Sequence, residues 1–196
     1  MAHPFPRRAA RWFSPTTLIL AGLCFLLPFV TVACDTPGGY GRAAPGGTTT
    51  YTGVDLVVGD EPSVTPADKV RTGPDNRLWP QPAAIVVLML IVGGVALALR
   101  PGRPGIRRAG VAGVALVAAT ALLVNQALVE AEVALRVGEQ LTQPLPADKS
   151  VRDYVHTGQG FGFSLVLLLG VTLANSIGWW RTRRPHPALV AGENDP

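Results

Sequence analysis

Cysteine is scarce in this chain, and its placement excludes an internal disulfide. The 196 residues include two cysteines, Cys24 and Cys34, which lie ten residues apart in one apolar run. On a helix rising 1.5 Å per residue they would be about 15 Å apart, well beyond the ~7 Å Cα separation that a disulfide bridges. No internal disulfide can therefore stabilise the fold, although Cys34 could form an intermolecular bridge.

Charge is also scarce, since 15% of the residues are charged and 48% are hydrophobic. A soluble surface needs more charge, and a disordered chain has fewer apolar residues. The apolar residues form four blocks, at 16–33, 83–99, 109–129 and 161–180. Each is about long enough to cross a ~30 Å hydrocarbon core as a helix. The sequence predicts an all-α membrane protein with four transmembrane helices in an antiparallel bundle.

Aspartate, glutamate, lysine, arginine and histidine are absent from all four blocks. Proton pathways and many transporters carry such residues at membrane depth, so their absence favours another function. The sequence shows no catalytic triad, no carboxylate pair and no metal-ligand spacing, and His156 is the only histidine in the predicted external loops. The stretch GQGFG at 158–162 resembles a phosphate-binding loop, but no strand precedes it and a membrane helix follows. We therefore expect no enzyme activity and no cofactor.

The cations are sorted between the polar segments. Segments 1–15, 100–108 and 181–196 together hold ten cations and two carboxylates, whereas the two remaining loops hold seven cations and eleven carboxylates. Cytoplasmic segments of membrane proteins are enriched in arginine and lysine. Both termini are therefore predicted to be cytoplasmic, in a multi-pass protein of the cell membrane. The stretch RPGRPGIRR at 100–108 is predicted to be a cytoplasmic turn, acting as a topology signal or as a contact to lipid phosphate.

These observations divide the chain into nine segments. They are a cytoplasmic N-terminus (1–15), helix 1 (16–33), an external loop (34–82), helix 2 (83–99), a cytoplasmic turn (100–108), helix 3 (109–129), an external helical extension and loop (130–157), helix 4 (158–180) and a cytoplasmic tail (181–196). Ser14 and Pro15 suit the first positions of helix 1, and Pro28 is predicted to kink that helix.

The sequence pattern predicts two segments with regular secondary structure in the external loops. TTTYTGVDLVVG at 48–59 is rich in β-branched residues and predicts a two-stranded hairpin. Helix 3 is predicted to continue outside the membrane, because valines and a leucine recur on one stripe at 129, 133, 137 and 141. An isolated hairpin is marginally stable, so the two segments should pack together. The candidate packing and interaction residues are Tyr51, Val57, Val133 and Val137.

Cys34 admits three interpretations. It can end the first helix, form an intermolecular disulfide, or carry lipid, because small Ala33 precedes it after a basic and then apolar segment, as in lipoprotein signals. Thr31 stands where such signals usually have an aliphatic residue, and the apolar run is longer than their ~7–15 residues. These features favour the end of a helix over lipidation.

Three stretches, LPFVTVAC, YTGVDLVVG and GFGFSLVLLL, resemble a loosely defined set of bacterial four-helix membrane proteins of unknown function. The resemblance implies the same topology and no known activity. We expect a non-enzymatic interaction, sensing or complex-assembly subunit that acts through its external loops. Its partners would be the bilayer and other membrane proteins or further copies of itself, without nucleic acid. The alternatives are a small transporter or channel-like oligomer, or a lipoprotein lipidated at Cys34 with three membrane helices.

Overall fold

A computed structural model describes residues 7–33, 48–65, 77–140 and 144–183. The helices are α1 (Arg7–Leu23), α2 (Gly53–Val58), α3 (Pro82–Leu99), α4 (Pro104–Gln140) and α5 (Gln159–Arg183). The strands are β1 (Pro28–Ala33), β2 (Thr48–Thr52), β3 (Ser63–Thr65) and β4 (Val155–Thr157). Two 3-10 turns, Cys24–Leu26 and Val151–Tyr154, precede β1 and β4.

Helices α3, α4 and α5 are long and apolar enough to cross a membrane. Their outward faces carry large apolar side chains that are more than half exposed, such as Met89, Leu128 and Val166. Exposure of this kind is unfavourable in water and favourable in lipid. The three helices therefore indicate a membrane protein. A shorter apolar helical stretch, Trp12–Leu26, lies at the end of α1 and in the turn after it.

The helices pack side by side through small residues. Helix α4 contacts α3 and α5, and α1 contacts the same two helices from the other side. The buried face of α4 in this region includes Ala115, Ala118 and Ala119, which let neighbouring backbones approach closely. On α3, a methyl group added at Gly94 would lie 3.2 Å from the Leu18 side chain. Close packing of small residues therefore holds α1 against α3.

The first apolar block is not one helix, so that prediction is wrong. Helix α1 begins at Arg7 rather than at Ser14, includes Pro15, and ends at Leu23. Residues Pro28–Ala33 then form β1. Proline has no N–H to continue the helix, and the Val-Thr-Val sequence that follows is β-branched and suits a strand. Pro28 therefore marks the start of a strand instead of a kink in a helix.

The strands form one antiparallel sheet in the order β3-β2-β1-β4. Strand β1 is central, since Val30 lies opposite both Tyr51 of β2 and Thr157 of β4. The expected all-α fold with a two-stranded hairpin in the first external loop is thus corrected to a helical protein with a four-stranded sheet. One of the two central strands comes from the first apolar block, and β4 comes from the segment just before α5.

The second half of the predicted hairpin is the short helix α2. The Thr52 hydroxyl accepts a hydrogen bond from the Asp55 N–H at 3.2 Å, and the Asp55 carboxylate accepts from the Thr52 N–H at 2.7 Å. This reciprocal capping box starts a helix, and Gly59, with φ of 73°, ends it in the left-handed region. Strand β2 pairs with β1 and β3 instead of with residues 53–59.

Helix α4 is continuous over 37 residues, which corresponds to about 55 Å. It extends beyond the apolar block, as the valine stripe predicts, and Val129, Val133 and Val137 are buried. The turn before it is shorter than expected, because Pro104 already begins the helix.

Several segments at one end of the membrane helices are treated together and called the cap. The cap consists of the sheet, α2, residues 77–81, residues 129–140 of α4 and residues 144–157.

Candidate functional site

Side chains at the outer end of α4 hold the parts of the cap together. Glu132 of α4 accepts a hydrogen bond from Gln81 at 3.0 Å and pairs with Arg136 at 2.7 Å. Arg136 also donates to the backbone carbonyl of Arg77 at 2.8 Å. The segment before α3 is therefore fixed against α4, while β4 joins β1 in the sheet. Parts of both polar segments that flank the membrane helices form one unit.

Glu130 is the centre of a polar contact between α4 and the sheet. Its Oε1 accepts hydrogen bonds from Gln126 Nε2 at 2.7 Å and from the Thr157 hydroxyl at 2.6 Å. Gln126 Nε2 also donates to the Phe29 carbonyl at 3.2 Å. One carboxylate thus links α4 to β4 directly and to β1 through Gln126. Hydrogen bonds to a charged group are stronger than neutral ones, so this contact holds the three elements in register.

A cleft of about 250 Å³ opens beside Glu130. Its walls are Ala127, Glu130 and Ala131 of α4, with Arg152 and Val155 from the segment before α5. The two alanines leave the space, and the two charged residues supply an acceptor and a donor of opposite sign. Both residues are among those that the structure describes, and they form no ion pair with each other. We call this cavity, with its five lining residues, the Glu130 cleft.

Two amides lie one turn below the cleft with unsatisfied polar atoms. Asn125 is 1% exposed, and neither its Oδ1 nor its Nδ2 has a hydrogen-bond partner among the described residues. Gln126 Oε1 is also buried and unpartnered there. A buried amide without a partner costs roughly 1–3 kcal/mol, so such atoms are uncommon. They mark a buried polar position on α4 in the turn before Glu130.

A second cavity of about 390 Å³ lies beside residues 77–80. Leu78 anchors this segment in the core, and the Arg77 guanidinium donates to the Gly59 carbonyl. Trp79 is 79% exposed and stands three residues before α3. Tryptophan at the end of a membrane helix is typical of the interface between lipid and water. This position suits membrane contact better than ligand binding.

The residues singled out from the sequence are mostly in the core. Tyr51, Val133 and Val137 are buried in one apolar cluster, and Val57 packs against it while partly buried. The end of α4 that carries the stripe contacts β1, β4 and the 3-10 turn Val151–Tyr154. Because they are buried, these side chains are not available to a partner. Cys34 and Leu141 lie outside the described residues.

The residues of the Glu130 cleft were not singled out from the sequence. Gln126 and Glu130 are four apart on a helix, a spacing that predicts contact between them. Their position at the end of an apolar block is the signal that could have identified them. Arg152 and Thr157 come from a different element, so no local pattern connects them to α4.

Two of the three glycines of GQGFG, Gly158 and Gly160, allow close packing, whereas a methyl group at Gly162 would meet nothing within 4 Å. A methyl group at Gly158 would collide with the backbone of Pro28, and one at Gly160 would lie 2.8 Å from the Cys24 carbonyl oxygen. The Gly158 N–H donates to the Phe29 carbonyl at 2.7 Å. These glycines therefore seat the start of α5 against β1 and the turn before it. A short strand, β4, does precede this stretch, contrary to the expectation from the sequence. The close contact with β1 and the turn before it nevertheless accounts for Gly158 and Gly160.

The remaining polar groups near β4 have structural roles. Ser150 donates from its N–H at 2.6 Å and from its hydroxyl at 3.0 Å to Asp153, and these two bonds hold the pKa of Asp153 below its usual range. Asp153 thereby caps the 3-10 turn. His156 is exposed on β4.

Within residues 7–33, 48–65, 77–140 and 144–183, no group of three histidine, cysteine or acidic residues could hold a metal ion.

The fold and the cleft together define a membrane protein with a mixed helix-and-sheet cap. Comparison of the chain with protein-family models, with curated proteins and with solved structures finds no match. Function must therefore be inferred from the geometry of the chain itself.

Proposed function

We propose that this chain is a non-catalytic, four-span membrane protein that binds a partner protein through the Glu130 cleft of its cap. The first step concerns α1 as the fourth span. Two hydrogen bonds support it: Asn175 donates to the Ser14 hydroxyl at 2.9 Å, and Ser164 donates to the Ala21 carbonyl at 3.3 Å. They join α5 to α1 at points eleven residues, or roughly 16 Å, apart along α5. Helix α1 is thus held along the bundle over about half the membrane thickness.

The second step is orientation. Helices α1 and α4 lead into the cap, whereas α3 and α5 lead away from it. The arginine-rich segments lie at the other end of the molecule. The positive-inside rule therefore predicts that the protein lies in the plasma membrane with the cap outside the cell and both termini in the cytoplasm. Reporter fusions test this: activity typical of the exterior is expected at Ala147, and activity typical of the cytoplasm at Gly105 and after the last residue. An exterior signal at Gly105 would contradict the four-span arrangement.

The size of the Glu130 cleft carries the functional conclusion. Small-molecule pockets usually enclose roughly 300–1,000 Å³, and this cleft has about 250 Å³. This volume, with a carboxylate and a guanidinium on its walls, fits one polar side chain of a partner protein. A partner side chain with both a donor and an acceptor could bond Glu130 and Arg152 together. We therefore assign the chain to the interaction subunits, with a protein partner in the same membrane or outside it.

A photo-crosslinking amino acid placed in the cleft tests this assignment. At Ala131, in cells, it should give one discrete protein adduct. The same amino acid at Glu139, which is exposed on α4 outside the cleft, is the matched control and should give none. Adding Glu130→Gln should weaken the adduct at Ala131. Equal adducts at both positions, or no adduct at Ala131, would exclude the cleft as the binding site.

One observation favours the alternative of a small transporter or channel-like oligomer. The unpartnered atoms of Asn125 and Gln126 are the kind of group that lines a hydrated path. Against this, no aspartate, glutamate, lysine, arginine or histidine lies in the apolar blocks. Liposomes with purified protein distinguish the two functions, because an interaction subunit leaves ion and solute leakage at the protein-free rate. Leakage that Asn125→Ala abolishes would support the transporter.

A further inference from the structure

A third cavity lies at the end of the molecule away from the cap, between the last turn of α3 and the start of α4. Its volume is about 220 Å³. Three arginines line it, Arg100 and Arg103 from the turn and Arg107 from the first turn of α4. Leu97 and Ile106 form its apolar walls. A concentration of three guanidinium groups around so small a space is a strong local excess of positive charge.

No described carboxylate forms an ion pair with Arg100, Arg103 or Arg107. Among the described residues, their guanidinium groups make one hydrogen bond, a long one from Arg107 Nη1 to the Arg100 carbonyl at 3.5 Å. Neighbouring arginines are used differently. Arg108 donates to the Gly178 carbonyl at 3.0 Å, and Arg183 stacks over the Trp179 ring at 4.0 Å. The arginines of the cavity therefore have unused donors, whereas these neighbours are held by the protein.

The apolar walls of the cavity continue onto the lipid-facing surface. Ile106 is 70% exposed and Leu99, at the last position of α3, is 48% exposed. Because α3 is a candidate membrane span that ends here, the cavity lies at the depth of lipid headgroups. A ligand that matches the site has an anionic group for the arginines and a hydrocarbon part for Ile106 and Leu99. Guanidinium groups bind phosphate oxygens with two parallel hydrogen bonds.

We propose that this cavity binds the phosphate group of an anionic phospholipid. The arginines hold the phosphate, and the acyl chains lie beside Leu99 of α3 and Ile106 of α4. The site would fix the α3–α4 turn at the membrane surface and give the protein a preference for anionic lipid. The proposal does not depend on the partner of the Glu130 cleft.

Native mass spectrometry of the full chain tests the proposal. The protein is released from nanodiscs of phosphatidylcholine that contain a minor fraction of phosphatidylglycerol. The mass of each protein–lipid complex then identifies the lipid that stays bound. Wild type should retain one phosphatidylglycerol in preference to phosphatidylcholine. The double variant Arg103→Gln, Arg107→Gln should lose roughly tenfold in retention for each arginine removed, about 100-fold together, because each guanidinium makes charge-assisted hydrogen bonds to the phosphate.

The matched control is Arg181→Gln, Arg183→Gln, which removes the same charge from the same end of the molecule without touching the cavity. Its retention should stay within about twofold of wild type. Equal losses in both double variants would show only general attraction to a positive surface and would overturn the site. Wild-type retention in the Arg103, Arg107 variant would overturn it too.

Two further arms complete the test. If the glutamine variant does not fold, as judged by thermal unfolding, Arg103→Lys, Arg107→Lys is used, which keeps the charge and loses the paired hydrogen bonds. It should retain less lipid than wild type, and unchanged retention would contradict the guanidinium contacts. Inorganic phosphate in large excess distinguishes the source of the phosphate. Lipid that stays bound supports the proposal, and full displacement assigns the cavity to a soluble phosphate and overturns it.

Discussion

The backbone N–H of Gly158 donates to the carbonyl of Phe29 at 2.7 Å, and this bond connects the start of α5 to the central strand β1. The contact is close because neither Gly158 nor Gly160 has a side chain where α5 meets the backbone before and within β1. The membrane helix and the cap are therefore built on each other at this point. Substitutions here should affect both.

Gly158→Ala is expected to destabilise the protein by about 1–3 kcal/mol, as overpacking of a closely packed contact does. The added methyl would collide with the backbone of Pro28, which cannot move without disturbing β1. Gly162→Ala is the matched control, since nothing lies within 4 Å of the added methyl there. Thermal unfolding in detergent measures both. A Gly158→Ala variant as stable as Gly162→Ala would show that the contact is looser than described.

Glu130→Ala should cost about 1–3 kcal/mol, because Thr157 and Gln126 would each lose an acceptor in a partly buried site. Glu130→Gln keeps an acceptor oxygen and should recover part of that loss. Glu139→Ala, on an exposed face of the same helix, should change the free energy of unfolding by less than about 0.5 kcal/mol. If Glu130→Ala and Glu139→Ala are alike, the polar contact does not stabilise the cap.

The hydrogen bonds by which Asp153 caps the 3-10 turn predict that the stability of the protein depends on pH. Its pKa is lower in the folded protein than in the unfolded chain, through the two hydrogen bonds from Ser150. The stabilisation is therefore fully present above the unfolded pKa and is lost as the pH falls through the folded pKa. Asp153→Asn should thus lower the thermal unfolding temperature slightly at neutral pH, with a difference that disappears in acid. A difference that persists at the lowest pH would show that proton binding to Asp153 is not involved.

The membrane helices could be predicted because their cause is local. A continuous apolar run without charge has few places to lie except lipid, and α3, α4 and α5 follow from that. The extension of α4 is also visible, because Val129, Val133 and Val137 recur at helical spacing. In each case the residues that determine the structure lie within the element itself.

Strand β1 could not be predicted in the same way. A short apolar run fits a buried strand as well as a helix, and length favoured a helix for the whole of 16–33. What decides the matter is pairing, because β1 bonds β2 and β4, the latter more than 100 residues away. The Glu130 cleft could not be predicted for the same reason, since it also depends on contacts between distant segments. The hydrogen bond between Thr157 and Glu130 spans 27 residues and depends on where β1 places β4.

The position of β1 also bears on lipidation of Cys34, the alternative that the sequence leaves open. Lipoprotein processing cuts the chain just before the modified cysteine, and here the cut would remove residues 1–33. That segment contains α1 and β1, with Phe29, Val30 and Val32 fully buried in the core. Losing these three side chains would cost on the order of 1.5–3 kcal/mol each, and β2 and β4 would lose the strand that joins them.

We therefore expect the mature protein to keep β1 joined to Cys34, and Cys34→Ser to leave membrane abundance and gel mobility unchanged. Peptide mass spectrometry checks the first expectation by finding one peptide that spans Phe29 and Cys34. Immunoblotting of membranes checks the second, and labelled fatty acid should be absent from wild type and variant alike. Label on the wild type alone, together with loss of the first 33 residues, would establish a lipoprotein. The sheet would then have to form without β1, which its central place between β2 and β4 argues against.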